Sequence, residues 1–198
     1  MSDAKGSEGW AGLKGTFKRQ AGILLGFTAL LWALELVDQV LLRGYLDQFG
    51  VRPRSLVGLR GVLLAPLLHG GFGHLIANTG PLLVLGWLVM WRRTSDWFLV
   101  GALATVVGGL GTWLIGAGNS VHIGASGVVF GFLGYLLLRG WFERKFVSMV
   151  GSVLVGVMYG GALWGLLPGT PGISWEGHLF GFSGGVLAAW LLKDRGHN

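Results

Sequence analysis

The chain has no cysteine among its 198 residues. That excludes a disulfide scaffold, a thiolate nucleophile and a zinc–thiolate centre. Charge is scarce too: 12% of the residues are Asp, Glu, Lys or Arg, against roughly 25% in soluble domains. Acids are the scarcer sign, 9 against 15 Lys and Arg, for a formal net charge of +6. The basic residues stand at the ends of apolar runs, a pattern that orients a membrane protein rather than one that binds phosphates. No nucleic-acid partner is expected. What fills the chain instead is apolar: 52% hydrophobic residues and 38 glycines, with a mean hydropathy of +0.63. Length and composition together indicate one polytopic membrane domain.

Six apolar runs, at residues 21–42, 70–91, 97–116, 124–141, 146–165 and 177–192, each approach the roughly 20 residues that cross about 30 Å of hydrocarbon. The expected fold is an all-α membrane protein, a six-transmembrane helix bundle occupying residues 21–192. Residues 1–20 are polar and glycine-rich and read as a short cytoplasmic tail rather than a cleavable leader. Residues 193–198 form a second tail. Residues 43–66 mix charge with Leu and Val and read as an interfacial or partly embedded loop.

Lys5, Lys14, Lys18 and Arg19 precede the first run, and Arg92 and Arg93 follow the second. Arg139, Arg144 and Lys145 close the fourth, Lys193 and Arg195 the sixth, while no Lys or Arg follows the third or fifth. Both termini are therefore expected in the cytoplasm. The first loop runs against the rule, because Arg43, Arg52, Arg54 and Arg60 would face outside.

Helix rise turns these markers into depths. At 1.5 Å per residue, Ser126 stands about 20 Å above Arg139, His178 about 22 Å above Lys193 and Asn78 about 21 Å above Arg92. Three polar groups on three runs reach one level, roughly 10 Å below the outer surface of a 30 Å core. The stretch before Ser126, residues 117–122, is polar and glycine-rich. The fourth helix is thus expected to be short and to start inside the membrane, beside a water-filled cavity that His122 lines. Irregular backbone at that depth needs protein or water to satisfy it.

Ser126 lies between Gly124 and Gly127 at the head of a helix. Glycines there allow close backbone approach, and the free amides of a helix start can hold an oxyanion. An ordinary N-cap serine fits the same pattern. His178 is a general-base candidate or, equally, a histidine hydrogen-bonded within a bundle. Gly127, Gly131 and Gly134 on one run and Gly181, Gly184 and Gly185 on the other would let the two helices approach closely enough to join serine and histidine. Glu35, Asp38 and Glu176 are not placed to complete a triad, so a dyad is the better reading. Phe130, one turn after Ser126, is positioned to stack on the imidazole. His74 and Asn78, four residues apart, share a helix face and offer donors to a carbonyl oxygen gaining charge. With His69 they form a set that could hold zinc, but acidic ligands are lacking at that depth, and no metal or cofactor is expected. His69 reads as a stabiliser of the first loop, and His197 as part of the tail.

In combination these residues resemble the rhomboid family of intramembrane serine proteases. The resemblance spans residues 59–192. It rests on His69, His74 and Asn78 in the second run, on Gly124, Ser126 and Gly127, and on Gly177, His178 and Gly181 with Gly184 and Gly185. It implies Ser126 as nucleophile, His178 as general base and acid, and His74, Asn78 and the Ser126 amide as oxyanion donors. It also implies cleavage in or near a transmembrane helix of single-span or multi-span membrane-protein substrates, through an acyl-enzyme, within the lipid bilayer of a bacterial cell membrane. A destabilised substrate helix and a small residue before the cut would be favoured, with the loop 166–175 as a mobile cap. Two features depart from the family pattern: many members carry Trp-Arg in the first loop, whereas here Leu59-Arg60 stands nearby and Trp91-Arg92 lies on the wrong side, and Phe130 stands where tyrosine is common. The rival readings are a non-catalytic relative that binds and escorts membrane proteins, and a small transporter. The transporter would predict a repeat between halves or a charged pathway, and neither is evident.

Overall fold

The computed structural model describes residues 2–170 and 172–196, and the side chains of residues 12–170 and 172–195. Met1, Pro171 in the expected cap loop, and His197 and Asn198 in the expected C-terminal tail lie outside the described residues. Among the described residues are seven α-helices. They are α1 Ser2–Val37, α2 Gly61–Leu64, α3 Phe72–Met90, α4 Thr94–Ile115, α5 Ser126–Glu143, α6 Phe146–Tyr159 and α7 Trp175–Leu192. The helix of α1 begins at Ser2, so residues 2–20 of the expected tail continue it.

Four stretches are long and apolar enough to cross a membrane: Gly12–Leu42, Phe72–Met90, Thr94–Ile115 and Phe146–Leu166, the last extending α6 by a 3-10 segment. α5 and α7 are 18 residues each but carry glycines, charged groups and candidate site residues. The reason is position. Eleven residues of α5 are buried, whereas α6 buries only Val155. A helix enclosed by protein need not be apolar on every face, while one facing lipid must be.

α5 and α7 make the most extensive helix contact, and α4 packs on α7. The glycine seam is literal. A Cβ on Gly181 would stand 2.2 Å from the Gly127 carbonyl oxygen, and one on Gly134 would stand 2.4 Å from the Phe182 carbonyl oxygen. Gly184 faces a different neighbour, the backbone of α4 at Leu103 and Ala104. Small residues thus bring α4, α5 and α7 together at backbone distance.

The first loop is folded rather than irregular. It carries 3-10 turns at Tyr45–Phe49, Val57–Arg60 and Ala65–Leu67, with α2 among them. Two of the arginines that run against the charge rule have partners within the protein. Arg54 donates through Nη1 to the Leu114 carbonyl at 3.1 Å, and its amide donates to the Trp113 carbonyl. Both are last-turn carbonyls of α4, where positive charge is favoured. Arg60 lies over the Phe49 ring, 4.4 Å from its centroid. At the opposite end of the bundle, Glu143 accepts from Arg92 at 2.6 Å and from Arg139 at 2.8 Å, tying the foot of α5 to α3.

Candidate active site

The backbone before Ser126 is held by the first loop. His122 and Val51 exchange N–H···O bonds of 2.9 Å, and the Gly124 amide donates to the Ala65 carbonyl at 2.9 Å. The Ala125 amide donates to His69 Nε2 at 3.3 Å. These bonds satisfy an irregular segment that helix geometry cannot. His69 is 1% exposed, and burial, with the neighbouring His74, pushes its imidazole down to about 4. It is therefore neutral at neutral pH, with the lone pair on Nε2 that the Ala125 amide needs. Gly124 takes φ +118°, which turns the chain into α5 and which an L side chain rarely adopts.

That same glycine sets the approach of two side chains. A Cβ on Gly124 would meet His74 Nε2 at 2.7 Å and Ser126 Oγ at 3.7 Å, so both groups crowd one face of it. The Gly70 amide donates to His74 Nδ1 over a long 3.4 Å. Nδ1 is thus the acceptor, which leaves the proton of the neutral ring on Nε2, beside Gly124. One turn on, Asn78 donates one Nδ2 hydrogen to the His74 carbonyl at 2.9 Å and has a second to offer.

His178 is the reverse case. Its Nδ1 lies 3.0 Å from the Gly165 carbonyl. A carbonyl only accepts, so Nδ1 holds the proton and Nε2 the lone pair. Phe130 stacks on the ring at 4.1 Å between centroids and 15° between planes. A Cβ on Gly165 would come within 3.1 Å of Phe130 and 3.3 Å of His178 Nδ1. Stacking and the carbonyl together fix the imidazole plane.

Ser126, His74, Asn78, Phe130 and His178 all line one cavity of about 850 Å³, as do His122, Ser174 and Glu176. Among the described residues the hydrogen bond of the His178 side chain goes to Gly165, and none joins it directly to Ser126. Of the expected supporting glycines, Gly124 shapes the turn, while Gly127 and Gly181 make the α5–α7 contact. Glu176 is buried at the start of α7 beside both His122 and His178, yet the Nδ1 position of His178 belongs to Gly165. Among the described residues no group of three His, Asp or Glu is arranged to hold a metal ion. Gly165 and Ser174 were not legible as site residues. They act through a backbone carbonyl and a helix cap, which leave no local pattern.

A family model of the Rhomboid domain matches residues 58–195. The chain belongs to the rhomboid family. Relatives include the uncharacterised protein Rv1337 of Mycobacterium tuberculosis, 48% identical over 178 residues, covering 86% of this chain and 74% of that protein. YdcA of Bacillus subtilis, a provisionally assigned rhomboid protease, is 30% identical over 136 residues, 67% of each chain. RHOMBOID-like protein 4 of Arabidopsis thaliana is 33% identical over 138 residues, covering 66% of this chain and 33% of its own.

Proposed function

We propose that this rhomboid-family chain is an intramembrane serine endopeptidase that cleaves membrane proteins in or near their transmembrane helices. The observation that carries the reading is the pair of histidines flanking Ser126 in opposite tautomers. His178 has a lone pair on the nitrogen left free by Gly165, and His74 has a proton on the nitrogen beside Gly124. One is equipped as a base and the other as a donor.

Ser126 Oγ attacks the scissile carbonyl carbon as its proton passes to His178 Nε2. The carbonyl oxygen gains charge and is met by His74 Nε2–H, by the second Nδ2–H of Asn78 and by the amide of Ser126, whose position in the first helical turn leaves it without an intrahelical acceptor. Collapse of the tetrahedral intermediate sends the Nε2 proton to the leaving amine and leaves an acyl-serine. Water entering through the cavity gives its proton to His178 and its oxygen to the acyl carbon, and expulsion of Ser126 restores the enzyme. A backbone carbonyl holds the imidazolium where a triad would use a carboxylate. A substrate helix must unwind locally first, since its scissile carbonyl is hydrogen-bonded and shielded. In this reading six spans cross the membrane, α5 and α7 among them, with both termini in the cytoplasm of a bacterial cell.

The test uses the purified protein and its Ser126→Ala variant in liposomes, with a single-span reporter whose helix contains glycine. Cleavage by the parent alone is the expected result. Equal cleavage by both would assign the activity to another nucleophile. No cleavage of any reporter by a folded parent would favour the escort reading.

A further inference from the structure

His122 sits where three parts of the chain meet, and its hydrogen bonds run in one direction. The Gly177 amide donates to Ser174 Oγ at 3.3 Å, capping the first turn of α7. Ser174 Oγ lies 2.6 Å from His122 Nδ1, and His122 Nε2 lies 2.6 Å from Ser120 Oγ. Ser120 in turn donates to the Ala117 carbonyl at 2.6 Å. Because that last acceptor has no proton, the direction of the whole chain is fixed. Ser120 spends its hydrogen on Ala117, so His122 Nε2–H donates to Ser120 and Nδ1 is left to accept from Ser174. Burial lowers the His122 pKa, partly offset by Glu176, which favours the neutral imidazole this order requires.

The same residue is pinned through its backbone to Val51, and Gly124 and Ser126 follow two and four positions later. Ser174 ends the loop that covers the cavity and lies one turn before His178. The side chain of His122 therefore links the rigid segment that delivers Ser126 to the helix start that delivers His178, at the point where Ser126 and His178 have no direct bond of their own.

We propose that His122 is a positioning residue: by accepting from Ser174 through Nδ1, it holds the first turn of α7 in register with the segment leading to Ser126. The proposal rests on Ser126 and His178 being the nucleophile and base. It predicts a division between the two sides of the ring. Asparagine places its Oδ1 where Nδ1 stands and keeps the Ser174 bond. Glutamine reaches toward the Nε2 position and keeps the Ser120 bond.

The full-length parent, His122→Ala, His122→Asn and His122→Gln are compared in liposomes. The measurements are reporter kcat and KM per site titrated with a fluorophosphonate, together with amide hydrogen exchange. His122→Ala is expected to lower kcat per titrated site about 10- to 100-fold with KM nearly unchanged, the scale of an ångström-sized misplacement. Exchange at the Gly177 and His178 amides should quicken about tenfold as the turn opens. His122→Asn should restore both and His122→Gln neither. Equal rescue by Asn and Gln, or a loss confined to the titratable fraction with normal kcat per site, would overturn the proposal. So would unchanged exchange at the start of α7 in His122→Ala, whatever the activity. A parent that neither cleaves nor reacts with the fluorophosphonate would instead defeat the protease reading, and exchange would still decide whether His122 holds α7.

Discussion

Adding one methyl group to the α5–α7 seam should separate the candidate nucleophile from its base. In Gly181→Ala the new Cβ would stand 2.2 Å from the Gly127 carbonyl oxygen, 2.8 Å from its carbon and 3.0 Å from its Cα. All three atoms are backbone, so no side chain can turn aside. Ordinary contact begins at 3.4 Å, and close-packed interiors transmit such an overlap rather than absorb it, so α7 must retreat by about 1 Å. Gly181 follows His178 by three residues on the same side of the helix, and the retreat carries the imidazole away from Ser126. A displacement of that size costs about 100-fold in rate, or roughly 2.7 kcal/mol of activation free energy. Gly26→Ala in α1 is the control. Nothing lies within 4 Å of its added Cβ, and alanine is favoured over glycine in a helix by about 1 kcal/mol. Both variants and the parent would be assayed in liposomes for reporter cleavage and for the rate of fluorophosphonate labelling. Gly181→Ala is expected to lose about 100-fold in both, with Gly26→Ala unchanged. Cleavage by Gly181→Ala within threefold of the parent would refute the argument that backbone contact at this seam sets the distance between Ser126 and His178.

Phe130→Ala should lower kcat about fivefold by freeing the His178 ring, since an aromatic contact of this kind is worth roughly 1 kcal/mol, and Phe130→Tyr should retain activity. Asn78→Ala should reduce kcat about 100- to 1,000-fold with little change in KM, because an oxyanion donor acts chiefly on the transition state. His69 sets a pH limit on stability. Its folded pKa of about 4 lies below the ordinary imidazole value of 6.5, so the folded state binds fewer protons than the unfolded one. The contribution is complete above pH 6.5 and is lost as pH falls toward 4, with an upper limit of about 3 kcal/mol. Asp47, raised to about 6 chiefly by burial with Asp38 and Glu35 adding to it, acts in the opposite direction. Comparing thermal inactivation of the parent with His69→Gln at pH 7 and pH 5 cancels that term. The parent should lose more stability on acidification, and parallel losses would sink the argument.

The apolar runs marked most helix limits to within a few residues, because burial in hydrocarbon or protein imposes the same demand at every position of a span. The expected start of the third helix at 97 and the observed Thr94 differ by one partial turn. The fifth run, 146–165, hides a change of geometry. It is α-helical only to Tyr159 and then tightens into a 3-10 segment, which brings the Gly165 carbonyl to His178. No hydropathy pattern distinguishes those two helix types. The first loop was legible as something other than a simple turn, but its short helices and the partners of Arg54 and Arg60 depend on α4 and on its own aromatic ring.

The sequence alone determined the chemistry on offer. It supplied a serine between glycines, a histidine and an asparagine at matching expected depths, glycines at helix-packing spacing, and no thiol. Those are properties of residue type and interval, and helix rise converts interval into depth. Tertiary structure alone decided which nitrogen of His69, His122 and His178 carries the proton. His178 answers to a carbonyl 13 residues away, His69 to an amide 56 residues away and His122 to a serine 52 residues away. A tautomer is set by whatever donor or acceptor the fold brings to the ring. These partners are backbone atoms and a helix cap, whose positions exist only once the chain has folded.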